Sequence, residues 1–199
     1  MKQIVGIFIC LTASIIATFL VLDSGMYNMA ATEKHWTVTE KIIAWVRDSS
    51  IEARAKDQQV PALDNEQMRL QGAEHYNAMC TICHLAPGMK PTELSLGLYP
   101  QAPKFFERLP SKDPVERQKH AKSYFWVIKN GLKMTAMPAW GLTHDDDSIW
   151  GMVAFILDLG TMTPEQYLHV VQSAKVQIQD HSHTDDENHS HEHQGHVHE

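Results

Sequence analysis

Polarity along the chain divides it into segments of different character. Residues 4–22 form a run of nineteen without a charge, with Lys2 before it and Asp23 directly after. At 1.5 Å per residue a helix of that length spans about 28 Å, close to the hydrocarbon core of a bilayer. Residues 40–55 then show a helical period, with Ile42, Ile43, Val46 and Ile51 on one side. Residues 64–79 read as a helix. A second covers 114–129, where Tyr124, Phe125, Val127 and Ile128 supply apolar mass and Gly131 provides the stop. A third covers 145–159, with an apolar stripe of Trp150, Val153, Ala154 and Leu157. The acidic run Asp145-Asp146-Asp147 suits the positive end of that helix. Residues 163–179 give one more helix, with Pro164 in its first turn. Between the first two, residues 87–110 are proline-rich and predict turns with short helical pieces. No alternating pattern of useful strand length occurs. The expected fold class is therefore all-α, a helical domain preceded by one N-terminal transmembrane helix.

These segments predict an anchor at 1–23, a juxtamembrane linker with an amphipathic helix at 24–63, a domain at 64–160, a helical extension at 161–179 and a disordered tail at 180–199. Lys2 ahead of the apolar run places the N-terminus in the cytoplasm by the positive-inside rule and exports the rest. A cleaved signal peptide is the alternative, but its apolar region is usually about 7–15 residues. The nearest small-residue pair, Ala30-Ala31, has Met29 or Asn28 at the critical earlier position. Trp36 and Trp45 suit a membrane interface or packing on the domain. Met26, Met29 and His35 offer soft donors for Cu(I), although juxtamembrane methionines are also common apolar filler.

Charge narrows the partners. The net charge is −7 over 199 residues, and residues 180–199 hold most of it, with acids but no Lys or Arg. The body is near neutral, which gives nucleic acid no basic face to bind. The tail also carries His181, His183, His189, His191, His193, His196 and His198. Its composition supports no apolar core. Imidazoles near their ordinary pKa are neutral at neutral pH, and such tracts bind copper, zinc or nickel in preference to iron or manganese.

The most specific chemistry lies at Cys80-Thr81-Ile82-Cys83-His84. C-x-x-C-H is the attachment signature of a c-type haem. Two thiols three positions apart reach the two vinyl groups of one porphyrin, and the adjoining His84 supplies an axial imidazole. A thioredoxin-like redox pair would follow a strand, whereas a helix precedes Cys80 here. A zinc site would need a second Cys or His pair at finger spacing, and the one other cysteine, Cys10, lies in the apolar run.

Downstream stands Asn130-Gly131-Leu132-Lys133-Met134-Thr135-Ala136-Met137-Pro138-Ala139-Trp140-Gly141. With haem attachment early and a Met-Pro pair late, residues 64–160 resemble a class I, monohaem cytochrome c domain. The resemblance implies a cytochrome c-like helical fold and makes Met137 the distal iron ligand. Met134, His120 and His144 are competitors. The proline beside Met137 stiffens the loop that must hold a weak sulfur ligand. The resemblance also makes Pro87 the acceptor of the His84 ring N–H, a bond that orients the imidazole. It places Gly72 and Tyr76 where the first and last helices cross, with Phe155 as the aromatic of the last helix. The lysine ring of the family's mitochondrial-type members is missing, so their docking mode is not carried over.

Together these features predict a periplasmic electron carrier on the bacterial inner membrane, single-pass, with one covalent haem c in His/Met ligation. It is expected not to be an enzyme itself but an electron-transfer protein, alone or as the cytochrome subunit of an oxidoreductase complex, with redox proteins in or at the membrane as partners. The rival expectation is a metal-handling protein whose tail binds copper, zinc or nickel and whose haem serves metal redox or sensing. A haem peroxidase would need an open iron position, and a dihaem one a second attachment motif, which the sequence lacks.

Overall fold

The computed structural model describes residues 1–189, with side chains described through residue 176. Among these residues every regular element is helical. The chain divides into two compact units, Met1–Trp45 and Val46 onward.

The first unit contains α1 (Lys2–Asp23), which buries no residue and is the one described helix long and apolar enough to cross a membrane. A short connection follows, where the Tyr27 hydroxyl meets His35 Nδ1 at 2.8 Å and the Tyr27 ring packs edge-on against Trp36. Met26, Met29, Trp36 and Trp45 are exposed. The unit ends within α2 (Thr37–Ala55).

The second unit begins with the remainder of α2. This unit thus takes in residues 46–63, part of the expected linker, together with the expected domain. Ala55 is buried, and Val60 and Leu63 pack against the core. Lys119 pairs with Glu52 at 2.6 Å, and Lys122 donates to the Lys56 carbonyl at 2.8 Å.

The core is built by α3 (Glu66–His75), α6 (Pro114–Asn130), α7 (Asp146–Leu159) and α8 (Pro164–His189). Short polar side chains start three of these helices. Asn65 accepts from the Gln67 and Met68 N–H groups, Asp113 from Val115, and Asp145 from Ser148, each satisfying donors that have no partner within the helix. α6 stops at Gly131, whose φ of +66° a side-chain-bearing residue adopts only with strain.

α7 is buried on all sides rather than along one stripe, as expected of a central helix that is apolar all round. α3 crosses it at Gly72 and Gly151, where a Cβ on Gly72 would fall on the Gly151 carbonyl and lie 2.8 Å from Met152 N. Beside this crossing the Tyr76 and Phe155 rings pack 5.5 Å apart, so the expected aromatic neighbour is present. Phe125 of α6 stacks on Trp150 at 4.1 Å.

α8 is part of the core as well, burying Tyr167, Val171 and Ala174. Its backbone continues through His189, ten residues beyond the expected helix end at 179. The segment expected to begin disorder at 180 is therefore helical as far as the described residues go.

Candidate functional site

The attachment segment sits at the end of a nearly continuous helical run. α3 widens at Tyr76–Cys80 into one π-helical turn and continues as α4 (Thr81–His84). Such π-turns are frequent at functional sites. Here the turn is braced by Thr81 Oγ1, which donates to the Asn77 carbonyl at 2.9 Å, and by Tyr167 of α8, whose hydroxyl donates to Asn77 Oδ1 at 2.9 Å. Cys80 and Cys83, three residues apart, fall on one side of the run. The chain then turns sharply. Leu85 is buried at φ +59°, and its carbonyl accepts from the buried Tyr76 hydroxyl at 2.8 Å.

Burial pushes the Cys80 thiol up to about 12, with Cys83 adding to the shift, and burial raises Cys83 as well. Both stay protonated at neutral pH. A redox-active pair would have a lowered thiol pKa, so the environment is not that of a reactive thiolate.

His84 is fixed by two contacts. Its Nδ1 lies 2.8 Å from the Pro103 carbonyl, and its ring stacks on Phe105 at 4.9 Å. A carbonyl only accepts, so Nδ1 carries the proton and Nε2 keeps a free lone pair. Burial lowers the His84 pKa, outweighing the Pro103 bond, which raises it, and the Arg108 charge lowers it further. The imidazole is thus neutral, orientated and ready to ligate.

The carbonyl partner corrects the expectation for Pro87. Nδ1 has one proton, and it goes to Pro103, nineteen residues along the chain. The reversal at Leu85 leads Pro87 into a local turn, closed by Met89 N–H donating to the Ala86 carbonyl at 3.0 Å. The segment between 88 and 103 then folds back, through α5 (Glu93–Gly97), to deliver the later proline. Phe105, at the start of the short 3-10 turn Phe105–Glu107, follows directly. Neither Pro103 nor Phe105 was legible as a site residue.

The methionine loop places its two methionines differently. Met134 is 78 % exposed, at φ +60°. Met137 packs against the core alongside Cys80, Phe105, Tyr124 and Trp140. Its position is held by Leu132 N–H donating to the Met137 carbonyl at 3.2 Å and by Met137 N–H donating to Thr135 Oγ1 at 3.1 Å. Gly131 lies under this loop, and a Cβ there would come within 2.8 Å of both the Met137 carbonyl oxygen and the carbonyl carbon of Pro138. Gly131→Ala is therefore expected to displace the loop and also strain a left-handed position. A melting temperature lowered by several degrees would check this, since a mismatched Ala at positive φ costs more than about 1 kcal/mol. The other rivals have partners elsewhere: His120 stacks on Tyr124, and His144 meets Thr143 and the rings of His75 and Trp140.

These residues fit a covalently held, iron-bearing porphyrin. The donor set supplies two protonated thiols for thioether formation and one imidazole with a free Nε2, beside half-buried apolar side chains able to cover a flat apolar ring. The expected tail ligands find no such support. His181, His183 and His189 lie on the backbone of α8, and His191, His193, His196 and His198 fall outside the described residues. Among the described residues no three His, Cys, Asp or Glu side chains gather as a metal site.

An all-helical domain with this attachment segment is what a cytochrome c domain would present. Residues 67–156 match the family model described as cytochrome c oxidase, cbb3-type, subunit III, which supports a c-type cytochrome carrying haem c and working in electron transfer. No curated protein and no solved structure matches the chain.

Proposed function

We propose that the chain is a membrane-anchored electron carrier in which Cys80 and Cys83 hold one haem c by thioether bonds and His84 and Met137 are the axial ligands. The observation that carries this reading is the His84 ring, whose Nδ1 proton is spent on Pro103 and whose Nε2 is left free beside two cysteines. When bound, the haem supplies an iron that cycles between Fe(II) and Fe(III). The chain's residues do the rest. Pro103 keeps the imidazole in one tautomer and raises its basicity. Phe105 fixes the ring plane. Gly131 and Thr135 set the loop that presents the Met137 sulfur, a ligand type that raises the reduction potential. The apolar residues around them exclude water.

α1 would serve as a single-pass anchor in a bacterial inner membrane, with the haem domain in the periplasm, where haem is ligated to such motifs. The partners are redox proteins in or at that membrane, and the matched family's description favours a place as cytochrome subunit of a larger oxidoreductase. The test is the absorption spectrum of the full-length protein made in cells that mature c-type cytochromes. Haem that stays with the denatured polypeptide and low-spin iron in both oxidation states are expected. High-spin iron that readily binds exogenous ligands would reject the carrier reading in favour of an enzyme or sensor.

A further inference from the structure

His75 and His144 take no part in the haem-binding residues, yet both rings are held as metal-bound imidazoles usually are. His75 ends α3, and His144 immediately precedes Asp145, the N-cap of α7. The close crossing at Gly72 and Gly151 fixes these two helices against each other, and the two rings lie with centroids 5.2 Å apart at 73°.

Hydrogen bonds to Nδ1 orient both rings. The Gln71 carbonyl sits 2.9 Å from His75 Nδ1 and can only accept, so Nδ1 carries the proton. Glu74 Oε2 lies 3.3 Å from the same nitrogen, a carboxylate behind the ring. Thr143 Oγ1 lies 2.9 Å from His144 Nδ1 and 3.3 Å from the Trp140 carbonyl; with its proton on that carbonyl, the hydroxyl oxygen accepts from Nδ1. Each ring therefore has Nδ1 engaged with an oxygen of the chain, an arrangement that leaves Nε2 of His75 with its lone pair and allows the same at His144. This is the outer-shell pattern that orients metal-ligating histidines. The Trp140 ring stands edge-on to His144 at 5.6 Å and restricts its rotation. Asp145 adds an exposed carboxylate nearby, held below the usual range by Ser148 first and then by the two histidines. The His75 side chain is 25 % exposed, which leaves an ion a path from solvent.

We propose that His75 and His144 together bind a late first-row divalent metal ion through their two Nε2 atoms, with water completing the coordination shell. Imidazole donors favour copper, zinc and nickel over iron and manganese. With two imidazoles rather than three or four protein ligands, the site suits an exchangeable ion rather than a permanent structural one. It rests on the proposed haem ligation only in that His144 is left free of the iron.

Zinc is the probe of choice, because it has no redox chemistry with the haem. The experiment uses the full-length, haem-loaded protein, stripped of other metals, and compares its thermal unfolding with and without Zn2+. The pair joins α3 to α7 in the folded domain, so zinc held there raises the unfolding midpoint by mass action. The expected result is a rise of several degrees in the wild type that is lost in both His75→Gln and His144→Gln. Equilibrium dialysis should show each variant binding one zinc fewer. Histidines elsewhere in the chain contribute equally to all three proteins. An unchanged haem spectrum and zinc-free midpoint establish that each variant is folded, and two independent variants guard against one that is not. No rise in the wild type, or a rise that persists in both variants, would overturn the proposal.

Discussion

Gly72→Val is expected to prevent the haem domain from accumulating in folded form. The reason is backbone against backbone. A Cβ at position 72 falls on the carbonyl of Gly151 and lies 2.8 Å from Met152 N, and neither can rotate away as a side chain would. Relief requires α3 and α7 to separate. These helices enclose the largest fully buried side chains, Tyr76 and Phe155 among them, whose rings pack 5.5 Å apart across the crossing. Separation would open gaps beside several such residues at once, and cavities in a core cost about 2–5 kcal/mol per large side chain lost. Ordinary overpacking costs about 1–3 kcal/mol where side chains can adjust. The expected loss here is above 4 kcal/mol, a large share of the roughly 5–15 kcal/mol that stabilises a domain. Gly97→Ala is the control, because a Cβ there meets nothing within 4 Å. Thermal unfolding and yield of haem-loaded protein read the difference. A Gly72→Val midpoint within about two degrees of wild type would show that the crossing is not as tight as described.

Gly72 illustrates what a sequence reveals and what it withholds. Resemblance alone gave it a place at a helix crossing, but nothing named Gly151 as its partner. Which residues of two helices meet depends on their crossing angle and register, and local pattern does not contain these. The helices themselves were legible for local reasons: Asn65, Asp113 and Asp145 are short polar caps, Gly131 is a stop, and the apolar positions of α6 and α7 recur at helical spacing. Cys80, Cys83 and His84 were legible because their chemistry depends on spacing within a single turn.

Pro103 was missed for the opposite reason. Several prolines lie between His84 and α6, and only the path of the chain, reversed at Leu85, decides which carbonyl returns to the imidazole. The packing of residues from 46–63 against the core was likewise hidden. Ala55, Val60 and Leu63 are ordinary apolar residues whose burial depends on a surface made elsewhere in the chain.

Met137→Ala is expected to abolish the weak near-infrared absorption that reports sulfur on Fe(III) and to lower the reduction potential, while Met134→Ala leaves both unchanged. The structure distinguishes the two residues by position. Met134 points its side chain into solvent from a left-handed backbone, and Met137 packs on the core between two backbone hydrogen bonds that fix its loop. A soft thioether stabilises Fe(II) relative to Fe(III), and axial ligands tune haem potentials over roughly 0.8 V, so its loss should shift the midpoint by a substantial part of that range. Folding is a lesser concern at this site. Met137 is half-buried, so truncation removes less apolar contact than the roughly 2–5 kcal/mol typical of a buried methionine. Spectra and potentiometry of the two variants give the answer directly. If Met134→Ala were the variant that lost the band, the loop would have to turn over from the arrangement described. If neither did, the distal ligand would be a nitrogen donor, and His120 and His144 would be the first residues to replace.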